Sequence, residues 1–360
     1  MFQPSLPNDF LQNLEAVKLG VANKVQIGWA EPWWGNGLYS LNILWSQFNL
    51  PPHMAWLYDV VSTFSVHQQK AVVELFVTGG SSIYMEELKE EEVKDHVMDL
   101  ITKASGQDVP QPTFFRRTRW SRDPWTLGSY ATFITVEGNR AGLHSHSQLA
   151  SPIKNSAGHT VLLWAGEHTH DTRYGTVDGA MDTGNKEAQD RLGGRVKTHR
   201  QDGVVVEDGA EWIHGDKRNA LYRLASSLNE LDENPPLDDD WNWHWVTEEG
   251  QPGNVRDYDK LMMLLEETEE AGVLESYYDT SYGQYFLDRF QEVFPDNTQH
   301  REGLLQFLHQ TVNTEEGTGS WLDMSAEDAD QYDFQGEDYQ WKNGYDTHTH
   351  THTLEVEDTF

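Results

Sequence analysis

Cysteine is absent from the 360 residues of this chain. Disulfide bonds and thiolate metal sites are therefore excluded, which suits a reducing compartment. The chain is long enough to bury a substantial core, in one large or two ordinary domains. It is not a small scaffold that depends on covalent crosslinks.

Basic residues are scarce, because 26 lysines and arginines stand against 59 aspartates and glutamates, for a formal net charge of -33. Phosphate binding relies on a basic surface, so nucleic acid is a poor partner for this chain. An acidic surface instead favours small cationic ligands, since its field raises their local concentration. A solvated acidic surface without any ligand explains the same charge.

Long apolar runs are also lacking, and none approaches the roughly 18 residues that a membrane helix needs. The first residues, MFQPSLPND, have neither the basic nor the apolar region of a signal peptide. We therefore expect a soluble, cytoplasmic protein without membrane association.

The apolar pattern predicts strands that alternate with helices. We expect a helix from Asn8 to Leu19, a strand around 25–29, a buried strand at 72–77 and then a Gly-Ser turn into an acidic amphipathic helix. Residues 257–312 are predicted to be helix-rich, with one helix ending at Pro295. The order of elements indicates an α/β fold with α+β elements.

Two consecutive blocks in residues 161–215 contain most of the functional pattern: VLLWAGEHTHDTRYGTVDGAMDTGNKEA and QDRLGGRVKTHRQDGVVVEDGAEWIHG. VLLWAGE is predicted to be a buried strand that ends near Glu167, where α/β sheets place ligands. Backbone N–H groups near Thr176 and Val177, at the start of the next helix, would attract an anion. Four small residues share one face of that helix, which allows either tight packing or the approach of a ligand: Gly175, Gly179, Gly184 and Ala188.

The two blocks resemble the flavin-contacting signatures of the polyamine and spermine oxidases, but in reversed chain order. In that family the GGRV…GAEWIHG block lies near the N-terminus and the AGE…GTVxGA block near the C-terminus. They join here at Glu187-Ala188, so one glutamate stands for two family residues, one on a helix and one that holds the adenosine ribose. MDTGNKEA is helical in character, which favours the helix. Further matches are FQPSLP…NKV at the N-terminus, RRTRWSRDPWTLGSYATF (116–133) and WKNGY (341–345).

The resemblance implies FAD as cofactor, and a noncovalent one, because the related monoamine oxidases tether their flavin through a cysteine. It implies that Lys24 holds a water at flavin N5, that His214 contacts the amine and that Tyr130 lines the substrate site. From the residues alone, Lys24 would be a surface residue, His214 a structural histidine and Tyr130 a core residue. The residues implied in cofactor binding are Glu167, Thr176, Val177, Glu187, Gly193, Gly194, Arg195 and Trp212. Trp33-Trp34 could be pocket wall or core.

No GxGxxG follows a strand in this sequence, although that motif binds the pyrophosphate of a dinucleotide. Relative to the family, the first strand, first helix and most of the second strand of the FAD domain are therefore missing. We expect substrate-domain halves at 1–147 and 216–346, FAD-contacting segments at 148–215 and a polar tail at 347–360. In that tail, His348, His350 and His352 would share one face of a strand, but a frayed terminus is favoured over a metal site.

Two functions follow. One is FAD-dependent oxidation of spermine, spermidine or their acetylated forms at a secondary amine, giving an aldehyde, a shorter amine and hydrogen peroxide. The other is a noncatalytic relative, either misassembled or a protein that binds polyamines without oxidising them.

Overall fold

The computed structural model describes residues 2, 5–66, 69, 71–186, 195–232, 241–270, 272–333 and 336–345. Packing divides the chain into two compact units. The first unit comprises Met1–Leu19, Tyr130–Pro235 and Met324–Phe360, and the second unit comprises Gly20–Ser129 and Pro236–Asp323. The segments expected at 1–147, 148–215, 216–346 and 347–360 follow motif blocks and stay a prediction, whereas these units follow packing between distant stretches.

The described residues mix helix and sheet, which confirms the expected fold class. The strands are β1 Val17–Leu19, β2 Ala22–Gly28, β3 Leu38–Leu44, β4 Ser62–Ser65, β5 Val72–Thr78, β6 Phe114–Arg117, β7 Ala131–Ile134, β8 Ile153–Lys154, β9 Thr160–Leu162, β10 Thr198–Gln201, β11 Val204–Glu207, β12 Trp212–Ile213, β13 Trp241–Thr247 and β14 Tyr339–Gln340. The α-helices are α1 Asn8–Ala16, α2 Gly79–Glu87, α3 Glu90–Ser105, α4 Val136–Arg140, α5 Val177–Lys186, α6 Ala220–Ser227, α7 Val255–Glu266, α8 Tyr282–Val293, α9 Arg301–Glu315 and α10 Ala326–Asp330.

A six-stranded sheet forms the centre of the second unit, in the order β13-β3-β4-β5-β2-β6. Its strand pairs are antiparallel except for β13 with β3, which is parallel. The strands β2, β3 and β5 are almost entirely buried. Val93, Val97 and Ile101 of α3 are fully buried and join the core around this sheet, so the amphipathic stripe predicted there is confirmed.

The first unit contains short two-stranded pairs: β1 with β7, β8 with β9, β10 with β11 and β12 with β14. One of its cores joins residues from distant parts of the chain, and its buried members are Ile213, Leu221, Ala225, Leu231, Trp341 and Tyr345. Val177 and Met181 of α5 pack against this core. The helix that contains the flavin-signature glycines is therefore anchored by its apolar face.

Some predicted elements differ from the structure. The N-terminal helix ends at Ala16 rather than Leu19, because Val17 and Leu19 pair with Ile134 and Ala131 of β7. The Gly-Ser segment expected as a turn begins α2. The prediction of a buried strand at VLLWAGE is wrong: β9 pairs, within the described residues, only with β8, and Val161 remains 60% exposed.

Candidate functional site

Glu167 lies at the centre of the candidate site and is 7% exposed. Its Oε2 accepts a hydrogen bond from the backbone N–H of Gly175 at 2.8 Å, and its Oε1 accepts from the N–H of Ala131 at 3.1 Å. Arg195 donates a guanidinium N–H to the same Oε1 at 2.7 Å. Charge-assisted bonds of this kind are the stronger class of hydrogen bond. One carboxylate thus joins β7, the loop before α5 and the second sequence block.

The N-terminus of α5 is capped by Thr176. Its Oγ1 accepts from the N–H of Gly179 at 3.1 Å and donates to the carbonyl of Arg173 at 2.7 Å. Among the described residues, the N–H groups of Val177 and Asp178 have no hydrogen-bond acceptor, as is usual for the first turn of a helix. These two amides and the helix dipole give the start of α5 a partial positive charge.

Tyr130 lies beside this helix start. A Cβ built at Gly175, which has a φ of +72°, would lie in van der Waals contact with the Tyr130 ring, 3.4 Å from its Cδ2. Tyr130 itself is half-buried. The structure therefore brings Tyr130 together with Glu167, Gly175 and the start of α5. The face of the Tyr130 ring can attract a cation in this arrangement.

Arg173 and Asp178 form a buried ion pair that sequence reasoning missed. The Arg173 Nε and Nη2 donate to the two oxygens of Asp178, both at 3.1 Å, and the side chains are only 3% and 8% exposed. Arg173 also donates to the carbonyls of His214 at 2.7 Å and of Asp333 at 2.9 Å. Burial lowers the pKa of Arg173. The charge of Tyr332 and the hydrogen bond and charge of Asp178 outweigh burial, so the pKa is raised overall. Both partners lie within the HTHDTRYGTVDGA stretch, yet no pattern indicated that this arginine folds back onto the helix.

Trp212 and His214 lie on and just after β12, which pairs with β14. The hydroxyl of Tyr345 donates to the carbonyl of Trp212 at 3.1 Å, so the WKNGY segment supports this strand. The imidazole of His214 is 46% exposed, and its Nδ1 lies 2.8 Å from Oδ2 of Asp338. Asp338 was not anticipated from the sequence, because it is 124 positions away from His214.

His168 adjoins Glu167 in the same turn. Burial lowers the pKa of its imidazole, and Arg195 and His146 lower it further against the opposing charge of Glu167. A lowered pKa favours the neutral imidazole. His168 is thus a neighbour of the Glu167–Arg195 pair whose pKa is lowered mainly by burial, and it too was absent from the residues selected by sequence.

Lys24 belongs to the second unit and is 5% exposed on β2, so it is not a surface residue. Its Nζ lies 3.0 Å from Oε1 of Glu74, itself 1% exposed, and 5.1 Å from the centre of the Phe76 ring. Also in the second unit, Trp34 is 6% exposed within the main core, and Trp33 packs against that core. Of the two roles considered for Trp33-Trp34, pocket wall or core, the structure supports the core.

The glycines predicted to share one helical face, for either tight packing or the approach of a ligand, serve different purposes. A Cβ at Gly179 would overlap the carbonyl of Arg173, so this position needs glycine for tight local packing. A Cβ at Gly184 would meet nothing within 4 Å. Another group can therefore approach the helix closely at Gly184. At Gly179 the carbonyl of Arg173 already occupies that space.

Several predicted residues lie outside the described residues: Glu187, Ala188, Gly193, Gly194, His348, His350 and His352. In the part of the chain that is described, no group of three or more His, Asp or Glu side chains could hold a metal ion. Nor does that part contain a helix with the length and apolarity needed to cross a membrane.

The donor set at α5 fits the ring end of a flavin. The N–H groups of Val177 and Asp178 are available for hydrogen bonding, and the N1–C2=O edge of a reduced flavin is anionic. Binding of the pyrophosphate has less support, because the sequence contains no GxGxxG. Arg195 could supply a forked donor, but one of its N–H groups is engaged by Glu167.

A family model described as flavin containing amine oxidoreductase matches this chain in two stretches, residues 1–189 and 186–360. The two stretches overlap at 186–189, which contains the Glu187-Ala188 junction recognised in the sequence. The interruption of the match at that position agrees with two blocks joined there.

Curated relatives match about half of the chain. A peroxisomal N(1)-acetyl-spermine/spermidine oxidase from Bos taurus is 28% identical over 202 residues, or 53% of this chain and 38% of the relative. The protein of the same name from Homo sapiens is 29% identical over 201 residues, or 53% of this chain and 39% of the relative. The chain thus spans about two fifths of the length of the relatives it matches.

Solved structures of amine oxidases are also similar to part of the chain. A putrescine oxidase with redesigned cofactor binding matches at 20% identity with a TM-score of 0.38, covering 52% of this chain and 38% of its own. Cyclohexylamine oxidase from Brevibacterium oxydans matches at 19% identity with a TM-score of 0.37, covering 51% and 38% respectively.

Proposed function

The chain belongs to the flavin-containing amine oxidoreductase family, and from that premise we propose that it oxidises polyamines with noncovalent FAD. The substrate would be spermine, spermidine or an acetylated form, oxidised at the carbon beside a secondary amine. The resulting imine is hydrolysed to an aldehyde and a shorter amine, and dioxygen is reduced to hydrogen peroxide. Bound FAD would supply the hydride acceptor.

The observation that carries this proposal is the convergence of motif residues at the start of α5. Glu167 fastens Gly175 and Arg195 in one place, and Tyr130 lies against Gly175. The N–H groups of Val177 and Asp178 would hold the anionic edge of the flavin ring. Thr176 fixes the helix turn that presents them. The first and second sequence blocks thus contribute to one site.

The proposal also gives roles to predicted site residues away from the start of α5. His214 would accept or hold a proton near the amine, and Trp212 would line the flavin site. Lys24 would manage a proton or a water, although its Nζ is paired with Glu74 and would have to exchange that contact. Glu187, Gly193 and Gly194 remain proposed cofactor ligands.

The choice of polyamines has two supports. The two mammalian relatives are named for oxidation of N(1)-acetyl-spermine and spermidine. The formal charge of -33 would concentrate polycations near the protein and speed their encounter with it. This electrostatic effect weakens as salt is added.

A noncatalytic polyamine-binding protein is the second candidate. It is favoured by the absence of a GxGxxG motif in the sequence. Such a protein would share the acidic surface but would not retain FAD.

Absorption spectroscopy of the purified chain with excess FAD, after removal of free cofactor, tests the first candidate directly. We expect a protein-bound flavin spectrum, which the variant Arg195→Met should weaken. Lys197→Met is the matched control, since Lys197 is 58% exposed and pairs with Asp208 instead. A wild-type chain without flavin would reject the oxidase proposal.

Peroxide release then tests turnover with spermine, spermidine and their acetylated forms. Calorimetric titration with spermine separates the two candidates, because the noncatalytic protein would bind spermine without releasing peroxide. A cytoplasmic location is part of the first proposal, and imaging of the tagged chain would distinguish it from the peroxisomal location stated in the names of the relatives.

A further inference from the structure

The short β12–β14 pair aligns His214 with Asp338. Trp212 lies opposite Gln340 and Ile213 lies opposite Tyr339 in an antiparallel register. Continued by one residue, the same register sets His214 opposite Asp338. Directly opposed side chains on neighbouring strands are close enough to interact, so the backbone pairing itself brings this histidine and this carboxylate together.

Both oxygens of Asp338 are used at this position. Oδ2 lies 2.8 Å from Nδ1 of His214, and Oδ1 accepts the backbone N–H of Gly215 at 3.1 Å. The carboxylate is therefore held from two sides and cannot rotate away without losing a second hydrogen bond. An ionised carboxylate only accepts, so the hydrogen bond to the ring requires a proton on Nδ1 of His214.

The backbone of His214 is also fixed. Its carbonyl accepts from Nη2 of Arg173 at 2.7 Å and from Nδ2 of Asn219 at 2.9 Å. Asn219 caps α6 through its side-chain oxygen, and Arg173 belongs to the loop before α5. The position of the ring is thus defined by the backbone on one side and by Asp338 on the other.

We propose that Asp338 is a positioning residue that keeps neutral His214 in the Nδ1–H tautomer and leaves Nε2 unprotonated. Nε2 then accepts a hydrogen bond or a proton from an amine, as a carboxylate-oriented histidine does in general acid–base sites. The tautomer is inferred from the hydrogen-bond geometry and from the acceptor-only chemistry of an ionised carboxylate, whereas its use on an amine rests on the proposed function.

A merely stabilising surface pair is the alternative for these two side chains, which are 46% and 47% exposed. Exposed pairs contribute little to stability. Stability measurements would therefore not separate a positioning role of Asp338 from a stabilising surface pair. The tautomer of the His214 ring separates them, because a stabilising pair of mobile side chains would leave both tautomers populated.

Nitrogen-15 NMR of histidine-labelled protein, without cofactor and in mildly alkaline buffer, measures that tautomer. The signals of His214 are identified by their loss in His214→Gln. We expect the Nδ1–H form to predominate in the wild type and the Nε2–H form, which predominates in free histidine, to take over in Asp338→Ala. Glu337→Ala is the matched control, because it removes the neighbouring carboxylate. Asp338→Asn keeps an oxygen acceptor and should restore the Nδ1–H form in part.

A wild-type ring in the Nε2–H form, or one whose tautomer ratio is the same in Asp338→Ala, would overturn the proposal. Equal changes in Glu337→Ala and Asp338→Ala would also overturn it. Peroxide release is measured separately on the flavin-loaded chain. Loss of turnover in every variant and in the wild type would reject the oxidase function while leaving the tautomer result standing.

Discussion

Arg173 should be one of the most costly side chains to remove from the first unit. Its partner Asp178 is 6% exposed, and the guanidinium supplies both hydrogen bonds to that carboxylate. Removing one member of a buried pair leaves an uncompensated charge, which costs about 3–5 kcal/mol. The carbonyls of His214 and Asp333 also lose a donor, but these residues are at least partly exposed and can bind water instead. We therefore expect Arg173→Met to lower the free energy of unfolding by about 3–5 kcal/mol, most of it from Asp178.

Replacing both partners tests that origin. The double variant Arg173→Met with Asp178→Leu has no buried charge, and such replacements are often neutral, so it should recover at least about 2 kcal/mol of the loss. Arg218→Met is the matched control, because Arg218 is 74% exposed in its pair with Asp333. That exposed pair should contribute less than about 1 kcal/mol.

Hydrogen exchange of the α5 amides, followed by mass spectrometry, reports the free energy of opening at the site of the change. It is preferable to a global melt, because a chain with two compact units need not unfold in one step. If Arg173→Met costs no more than Arg218→Met, or if the double variant is as unstable as the single one, the assignment of the energy to the buried Asp178 is incorrect.

Two glycines of α5 and one histidine of α9 give further expectations. Gly179→Ala should destabilise the first unit by about 1–3 kcal/mol, because its Cβ would overlap the Arg173 carbonyl. Gly184→Ala should stabilise it by about 0.5–1 kcal/mol, since alanine is the better helix former and space is open there. Hydrogen exchange of the α5 amides ranks the two variants, and equal effects would contradict the packing. Burial lowers the pKa of His309 to about 4, against about 6.5 in the unfolded chain. The unfolded state therefore binds the proton first, so stability should fall by about 3 kcal/mol as the pH falls from about 6.5 to about 4. His309→Gln should flatten that part of the pH–stability curve, and an unchanged slope would contradict the assignment.

Much of the secondary structure followed from local pattern. The strand at 72–77, the stripe on α3 and the helices α8 and α9 have the predicted type, because apolar residues at a period of two or of three to four face a core directly. VLLWAGE failed the same test. Its apolar run predicted burial, but a strand is buried only where other strands or helices cover it, and β9 pairs only with β8 in the described residues.

The candidate site was predicted in part. Glu167, Thr176, Val177, Arg195 and Tyr130 were selected through motif resemblance, and the structure gathers them around the start of α5. Arg173, Asp178 and Asp338 were not selected, because the motif pattern does not show which side chains meet in the folded chain. From its residue type alone, Lys24 would be a surface residue, but it is buried because Glu74 on a neighbouring strand pairs with its charge.

The sequence by itself determined the family, the junction near Glu187-Ala188, the acidic surface and the absence of a GxGxxG motif, because each is a property of residue order and composition. Only the tertiary structure decided which charges are paired in the interior and which glycine is needed for packing. It also set His214 opposite Asp338 across 124 positions of chain. These features depend on where the groups lie in the folded chain. For the buried ion pairs, the cost of leaving a buried charge unpaired favours the contact.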